Sequence, residues 1–238
     1  MSVQVTRATN SPNAASRRGS LASPIGVNAA SKPPYAKISS SIAFSQELAP
    51  AEDDAAAGVR DLSAFSVAEK DVVLGVSASG RTPYTLAALE AADRAGALTI
   101  GLACVRGSEL AQRASRAIEV EVGPEVIVGS TRMKAGTAQK LVLNTISTIA
   151  MVRLGKTFGN LMVDVQASND KLRARARRAV AIATAADDEE VADAIAAAGG
   201  DTKVAIVALL AGVDAQTARS RLTAAGGVIR EAVADVVG

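Results

Sequence analysis

Short aliphatic runs alternate with helical segments through the middle of the chain, and this alternation restricts the fold more than any other feature. The run DVVLGV (71–76) has the length and aliphatic content of a buried strand, and LTIGLAC (98–104) and AIEVEV (117–122) are predicted to form a second and a third strand. Segments 82–97 and 107–115 between them read as helices. Strand, helix, strand, helix, strand at this spacing predicts right-handed crossovers and a parallel sheet of the α/β class.

The composition agrees with such a sheet and argues against a nucleic-acid partner. Hydrophobic residues make up 49% of the chain and aromatic residues only 2%, so the core is aliphatic, as suits helices on a buried parallel sheet. The 26 basic and 24 acidic side chains nearly balance, which is not typical of a general DNA binder. The basic run RARARR (173–178) is interpreted as a solvated helix face, with nucleic-acid binding as the alternative.

Missing residue types exclude several kinds of chemistry. The chain has no histidine, which removes histidine metal sites and every Ser-His-Asp mechanism, so acid and base roles fall to Glu, Asp, Lys, Tyr or Cys. Cys104 is the single cysteine, which predicts a reducing, cytoplasmic setting without an intrachain disulfide. No apolar stretch reaches the roughly 18 residues of a membrane span, so we expect no membrane partner.

The pattern along the chain predicts three regions. Residues 1–42 are rich in Ser, Ala, Asn and Pro and are expected to form an irregular or poorly ordered lead-in. Residues 43–167 contain the alternating strands and helices. From residue 168 the strand pattern stops, and several segments that begin at Ser or Asp and end at Gly predict a helical C-terminal region over 168–238.

The first loop with candidate binding residues is GVSASGRT (75–82), at the end of the first predicted strand. It nearly fits the nucleotide phosphate loop, but Arg81 replaces the lysine and neither later strand ends in Asp. A hydrolase nucleophile elbow also fails, because there is no histidine to activate Ser77. What remains is a hydroxyl-rich cradle for a monophosphate, with a simple capped turn as the alternative; its candidate residues are Ser77, Ser79, Gly80, Arg81 and Thr82.

The second loop is GSTRMKAGTAQK (129–140), which opens a long apolar helix. Ser130 and Thr131 are expected to cap this helix, while Arg132 and Lys134 add positive charge where the helix dipole is already positive. That arrangement is unfavourable unless an anion binds there. The two loops together therefore predict a seat for a phosphorylated small molecule, with surface solvation as the alternative.

Three long strings give the chain a family resemblance. GVSASGRTPY, GPEVIVGSTRMKAGTAQKLVLN and GKTFGNLMVDVQASNDKLRARARR closely resemble the N-acetylmuramic acid 6-phosphate etherases, of the sugar-isomerase-domain superfamily. The similarity extends from about residue 43 to the C-terminus. It implies a three-layer αβα domain and a cytoplasmic homodimer, without metal or cofactor, that binds a sugar phosphate.

The resemblance also implies a reaction and roles for particular residues. The activity is that of a lyase that removes D-lactate from C3 of the sugar 6-phosphate, with carboxylates that take the C2 proton and assist the leaving group. Glu52 matches one of two family glutamates, although its position alone suggests a helix N-terminal acid. The positions in the family's substrate loops are Ser79, Arg81, Thr82, Ser130 and Lys134.

The chain departs from the family upstream of residue 43. The family's first phosphate loop, GAGTSGR, and its LDAxECPP motif are not intact here, and Ser31 stands where the second glutamate is expected. We therefore expect an N-terminally truncated or diverged member, either an impaired etherase or a phosphosugar-binding regulatory module. The candidates to replace the missing carboxylate are Asp53, Asp54 and Glu125, with a carboxylate from the partner subunit as the alternative. A missing central strand predicts an uncovered sheet edge and marginal stability or dependence on a partner subunit.

Overall fold

The computed structural model describes residues 2–9, 37–44, 50–164 and 169–235. The chain forms two compact units that divide within one long helix, between Thr145 and Ile146. This division lies upstream of the boundary that the sequence predicted at residue 168, because the end of that helix and a short hairpin belong to the second unit. The elements of the first unit are β1 (Ser2–Thr9), β2 (Lys37–Phe44), α1 (Pro50–Asp53), α2 (Ala55–Ser63), β3 (Asp71–Ser77), α3 (Pro83–Arg94), β4 (Leu98–Ala103), α4 (Glu109–Arg113), β5 (Arg116–Glu119) and the start of α5 (Lys134–Arg153).

The sheet of the first unit has the order β2-β1-β3-β4-β5. The predicted parallel strands are confirmed: β3 pairs with β4 from Val72↔Leu98 to Ser77↔Ala103, and β5 continues parallel to β4. Both helices predicted between these strands, α3 and α4, are present. The parallel strands and their helices agree with the expected three-layer αβα architecture.

The N-terminal part of the sheet differs from the sequence expectation. The segment expected to be an irregular lead-in contributes β1 and β2, while residues 10–36 of that segment lie outside the described part of the chain. β1 pairs antiparallel with β3 from Ser2↔Val76 to Arg7↔Asp71, so the sheet is mixed rather than wholly parallel. Because β1 satisfies the backbone of β3, the uncovered edge predicted at that strand is not observed.

Helices α2 and α3 pack closely enough to exclude any side chain at Gly58. A Cβ added to Gly58 would lie 2.2 Å from the carbonyl oxygen of Tyr84. Tyr84 is buried, and its hydroxyl donates a 2.7 Å hydrogen bond to Asp61 on α2. Burial, with the neighbouring Asp61 carboxylate, raises the pKa of Tyr84 to about 12, so the hydroxyl stays a donor. Leu62 and Leu89 fill the aliphatic core of this unit.

The second unit is mostly helical, as predicted. Within this unit a short hairpin, β6 (Thr157–Phe158) and β7 (Leu161–Met162), precedes the helices α6 to α10. Asp side chains accept hydrogen bonds from the first turns of α7, α8 and α9, which confirms the predicted Asp caps, whereas α6 is capped by Asn169. Aliphatic side chains form one core, and α8 is its most buried element. The helices are α6 (Asp170–Thr184), α7 (Asp188–Ala197), α8 (Thr202–Ala211), α9 (Ala215–Ala224) and α10 (Ile229–Ala232).

Within the described ranges, no single helix has the length and apolarity needed to cross a membrane. Helices α7 and α8 reach the required length and composition only as a pair, and they bend by 118° where they meet.

Two glycine-to-alanine changes in helices are expected to have different effects on stability. Gly58→Ala places a methyl group against the Tyr84 backbone and should lower the free energy of unfolding by about 1–3 kcal/mol, as overpacked cores do. Gly136→Ala, in α5, meets only the Thr131 carbonyl oxygen at 3.5 Å. It should be neutral or stabilising by up to about 1 kcal/mol through helix propensity. Urea unfolding of both variants measures this; equal effects would contradict the proposed α2–α3 contact.

Candidate functional site

The loop after β3 is held in shape by its own hydroxyl groups. Buried Ser77 accepts a hydrogen bond from the Gly80 amide at 3.0 Å, and its Oγ lies 2.9 Å from Oγ1 of Thr82. Gly80 has φ +64°, and a Cβ there would lie 2.4 Å from Cβ of Ser108. The turn therefore requires glycine at this position. Ser77, Gly80 and Thr82 shape the loop from inside, whereas Ser79 is exposed on its surface.

The loop after β4 lies beside the loop after β3. The Cys104 amide donates to the carbonyl oxygen of Ala78 at 3.0 Å, and the Leu110 amide donates to that of Gly80 at 2.9 Å. The Cys104 bond continues the parallel pairing of β3 and β4 beyond the ends of the strands, and the Leu110 bond joins the start of α4 to the first loop. They bring the Cys104 side chain to the same edge of the sheet as Ser79.

The N-terminus of α5 is satisfied by a carboxylate of the same chain. The helix begins at Lys134, and the Lys134 amide lies 3.0 Å from each carboxylate oxygen of Glu125, while the Ala135 amide lies 3.1 Å from one of them. The expected caps, Ser130 and Thr131, do not make these bonds. The sequence interpretation required an external anion at this helix end, and Glu125 supplies the negative charge instead.

The pKa values of Glu125 and Cys104 are both shifted by their surroundings in the site. Hydrogen bonds from the backbone amides, that of Lys134 foremost, hold the pKa of Glu125 below its ordinary value, so the carboxylate is ionised at neutral pH. Burial, together with the Glu125 charge, raises the pKa of the Cys104 thiol. The thiol points toward the Ala135 carbonyl oxygen at 3.8 Å. Cys104 is therefore a neutral thiol in the site rather than an activated nucleophile.

The two predicted loops meet at one cavity of about 290 Å³. Its walls are mainly apolar and include Val105, Val122 and Val128. Such a mixture of apolar walls and a few polar groups is typical of small-molecule sites. The residues with polar side chains that line it are Ser79, Cys104, Glu125, Ser130 and Thr131.

Several predicted site residues do not line this cavity. Arg81 and Lys134 are exposed and lie close in sequence to lining residues, but they do not line the cavity themselves. Ser77, Gly80 and Thr82 do not line it either, because they lie within or beneath the first loop.

Glu52 is exposed on the short helix α1 and is not part of the cavity lining either. The described residues also contain no group of three or more His, Cys, Asp or Glu side chains suited to holding a metal ion.

Sequence reasoning did not assign Cys104 to the site and named Glu125 only as a replacement carboxylate. Glu125 precedes the helix it caps by nine residues, which exceeds the spacing of local capping motifs. Cys104 was assigned to a strand, and only the pairing of β3 with β4 brings it to the cavity. Both residues could have been assigned to the site from their positions, because Cys104 lies at the end of a strand and Glu125 lies in a loop that follows a strand.

Comparison with known proteins relates these loops to one group of sequences. The SIS domain family matches residues 50–149. A protein of Streptomyces coelicolor is 57% identical over 79% of this chain and 60% of its own length, and one of Rubrobacter xylanophilus is 60% identical over 78% and 61%. A third, from Geobacillus thermodenitrificans, is 49% identical over 80% and 65%. All three are named N-acetylmuramic acid 6-phosphate etherase, and the chain spans about three fifths of their length.

The Glu125 cap predicts a pH-dependent loss of stability in Glu125→Gln. The folded-state pKa of Glu125 is lowered, so its contribution is present above its ordinary value of 4.5 and is lost as pH falls through the lowered folded-state value. The variant should have a smaller free energy of unfolding than wild type at neutral pH, and the gap should close below pH 4.5. Urea unfolding at stepped pH measures this.

The exposed carboxylate of Glu69 provides the matched control, since Glu69→Gln removes a charge away from the helix end. The loss of unfolding free energy in Glu125→Gln is then compared with the loss in Glu69→Gln. A loss that does not change with pH, or that equals the loss in Glu69→Gln, would show that the cap bonds do not cause the destabilisation.

Proposed function

We propose that this chain is a carbon-oxygen lyase of amino sugar and cell-wall recycling, like the N-acetylmuramic acid 6-phosphate etherases to which it is similar. The substrate is N-acetylmuramic acid 6-phosphate, and the products are N-acetylglucosamine 6-phosphate and D-lactate. The observation that supports this most strongly is that the two loops predicted to bind a phosphate line one cavity.

The phosphate is bound by hydroxyl groups in this proposal. Ser79 approaches from the loop after β3, and Ser130 and Thr131 approach from the loop before α5. The first amides of α5 are engaged by Glu125, so they are not free to bind the phosphate. Exposed Arg81 and Lys134 add positive charge close in sequence to these hydroxyls and attract a doubly charged phosphate to the mouth of the cavity.

The reaction requires proton transfers at C2 of the sugar and at the ether oxygen attached to C3. A base removes the proton at C2, the C3–oxygen bond breaks as lactate leaves with a proton from an acid, and water then adds across the new double bond. Glu52 is proposed as one of these carboxylates. It lies on α1, outside the cavity lining, so its participation requires that the sugar extend beyond the phosphate seat.

We propose further that the chain acts as a homodimer in the cytoplasm. Helix α5 is 20 residues long and has low amphipathicity, and Ala135 is its single buried residue among those described. Leu141 on α5 and Val126 to Val128 before it are strongly exposed. A helix with apolar residues around its circumference favours burial against another surface. Sedimentation at twice the chain mass would support the dimer, and a monomer across micromolar concentrations would contradict it.

Lactate release tests the proposed activity. Purified protein incubated with N-acetylmuramic acid 6-phosphate should release D-lactate, measured with a coupled dehydrogenase. Glu52→Gln should lower the rate by about 100-fold or more, the usual effect of removing a general acid or base. Asp53→Asn, the next residue of the same short helix, is the matched control and should change the rate far less. No release by wild type would contradict the proposal.

Ligand-induced stabilisation separates a binding module from an enzyme. If lactate is not released but N-acetylglucosamine 6-phosphate raises the melting temperature, the chain is a phosphosugar-binding module. Ser79→Ala should then reduce the rise, whereas Ser63→Ala, an exposed helical serine outside the cavity, should preserve it.

A further inference from the structure

Three arginines of α6 line a second cleft, in the helical unit. Four arginines lie between residues 173 and 178, and those at 173, 177 and 178 line a cleft of about 460 Å³. Arg175 lies on the same helix but does not line it. The cleft also includes Asp170 of α6 and Asp188 at the start of α7. Its volume is within the range of about 300–1,000 Å³ that small-molecule sites occupy.

The charges in this cleft are not balanced. Asp170 forms an ion pair with Arg173, which leaves the guanidinium groups of Arg177 and Arg178 opposite the single carboxylate of Asp188. Neither Arg177 nor Arg178 has a carboxylate within 4.0 Å among the residues that the structure describes. Arg173 and Arg177 are also one turn apart, a spacing at which like charges repel. A bound anion would relieve both unfavourable features.

We propose that this cleft binds the phosphate group of a small molecule, independently of the loop cavity. Guanidinium groups donate paired hydrogen bonds in a fixed planar arrangement that matches phosphate oxygens. Two neighbouring arginines without an ion pair to any described residue suit a single phosphate group better than a polymer. The near-zero net charge of the chain and its 2% aromatic content also disfavour nucleic acid. The RARARR run is thus a binding element and not only a solvated helix face.

Amide chemical shifts of the full chain test this proposal. Inorganic phosphate is titrated against sodium chloride at the same ionic strength, and the amides of Ala174 and Ala181, which line the cleft, are followed. These shifts should saturate with phosphate and not with chloride. A parallel titration with N-acetylglucosamine 6-phosphate shows whether the ester is bound more tightly than the free ion. The amides of Ser79 and Ser130 report the loop cavity separately.

Matched variants locate the binding site. The double variant Arg177→Gln/Arg178→Gln should raise the dissociation constant obtained from the saturating shifts by about 10-fold or more, because it removes two charged groups that donate hydrogen bonds to the phosphate. Arg175→Gln makes a similar change on the same helix outside the cleft and should alter the affinity less than about two-fold. If the double variant does not fold, Arg178→Gln alone is used.

Three results would overturn the proposal. One is the absence of saturable shifts at Ala174 and Ala181 in wild type with both phosphate probes. The second is that the saturating shifts survive unchanged in the double variant. The third is that Arg175→Gln loses as much phosphate affinity as the double variant.

Discussion

Parallel pairing of β3, β4 and β5 is the constraint on which the candidate site depends. With Ser77 opposite Ala103, the carboxyl ends of adjacent strands lie at the same edge of the sheet, so Ser79 and Cys104 become neighbours although they are distant in sequence. The hydrogen bond from Cys104 to Ala78 extends this register into the loops. A shift in the register would separate the two halves of the cavity and remove the site while leaving the helices intact.

The second constraint is an internal charge. Helix α5 begins with Lys134 and follows a loop that contains Arg132, so its positive end requires a negative partner. Glu125 provides that partner and, by binding two amides, fixes the loop between itself and the helix. That loop carries Ser130 and Thr131 into the cavity. The stability of the helix end and the position of the binding hydroxyls thus have one cause.

The elements that sequence predicted best have local signals. Strands β3 and β4 are mostly aliphatic runs, and the helices α6 to α9 have Asp or Asn caps. Strand β2 was missed because its sequence, KISSSIAF, has little strand character. Strand β1 was missed because its antiparallel pairing with β3 depends on residues far away in sequence. The same distinction applies to the site: the hydroxyl loops follow strand ends and were predicted, whereas the Glu125 cap is a tertiary contact.

In the proposed site, hydroxyl groups from two loops bind a phosphate in one cavity. A crystal structure of the chain with N-acetylglucosamine 6-phosphate tests it most directly. We expect the phosphate within about 3 Å of the hydroxyls of Ser79 and of Ser130 or Thr131, with the Glu125 carboxylate still bound to the first amides of α5. A bound sugar phosphate elsewhere on the first unit, with this cavity empty, would contradict the account.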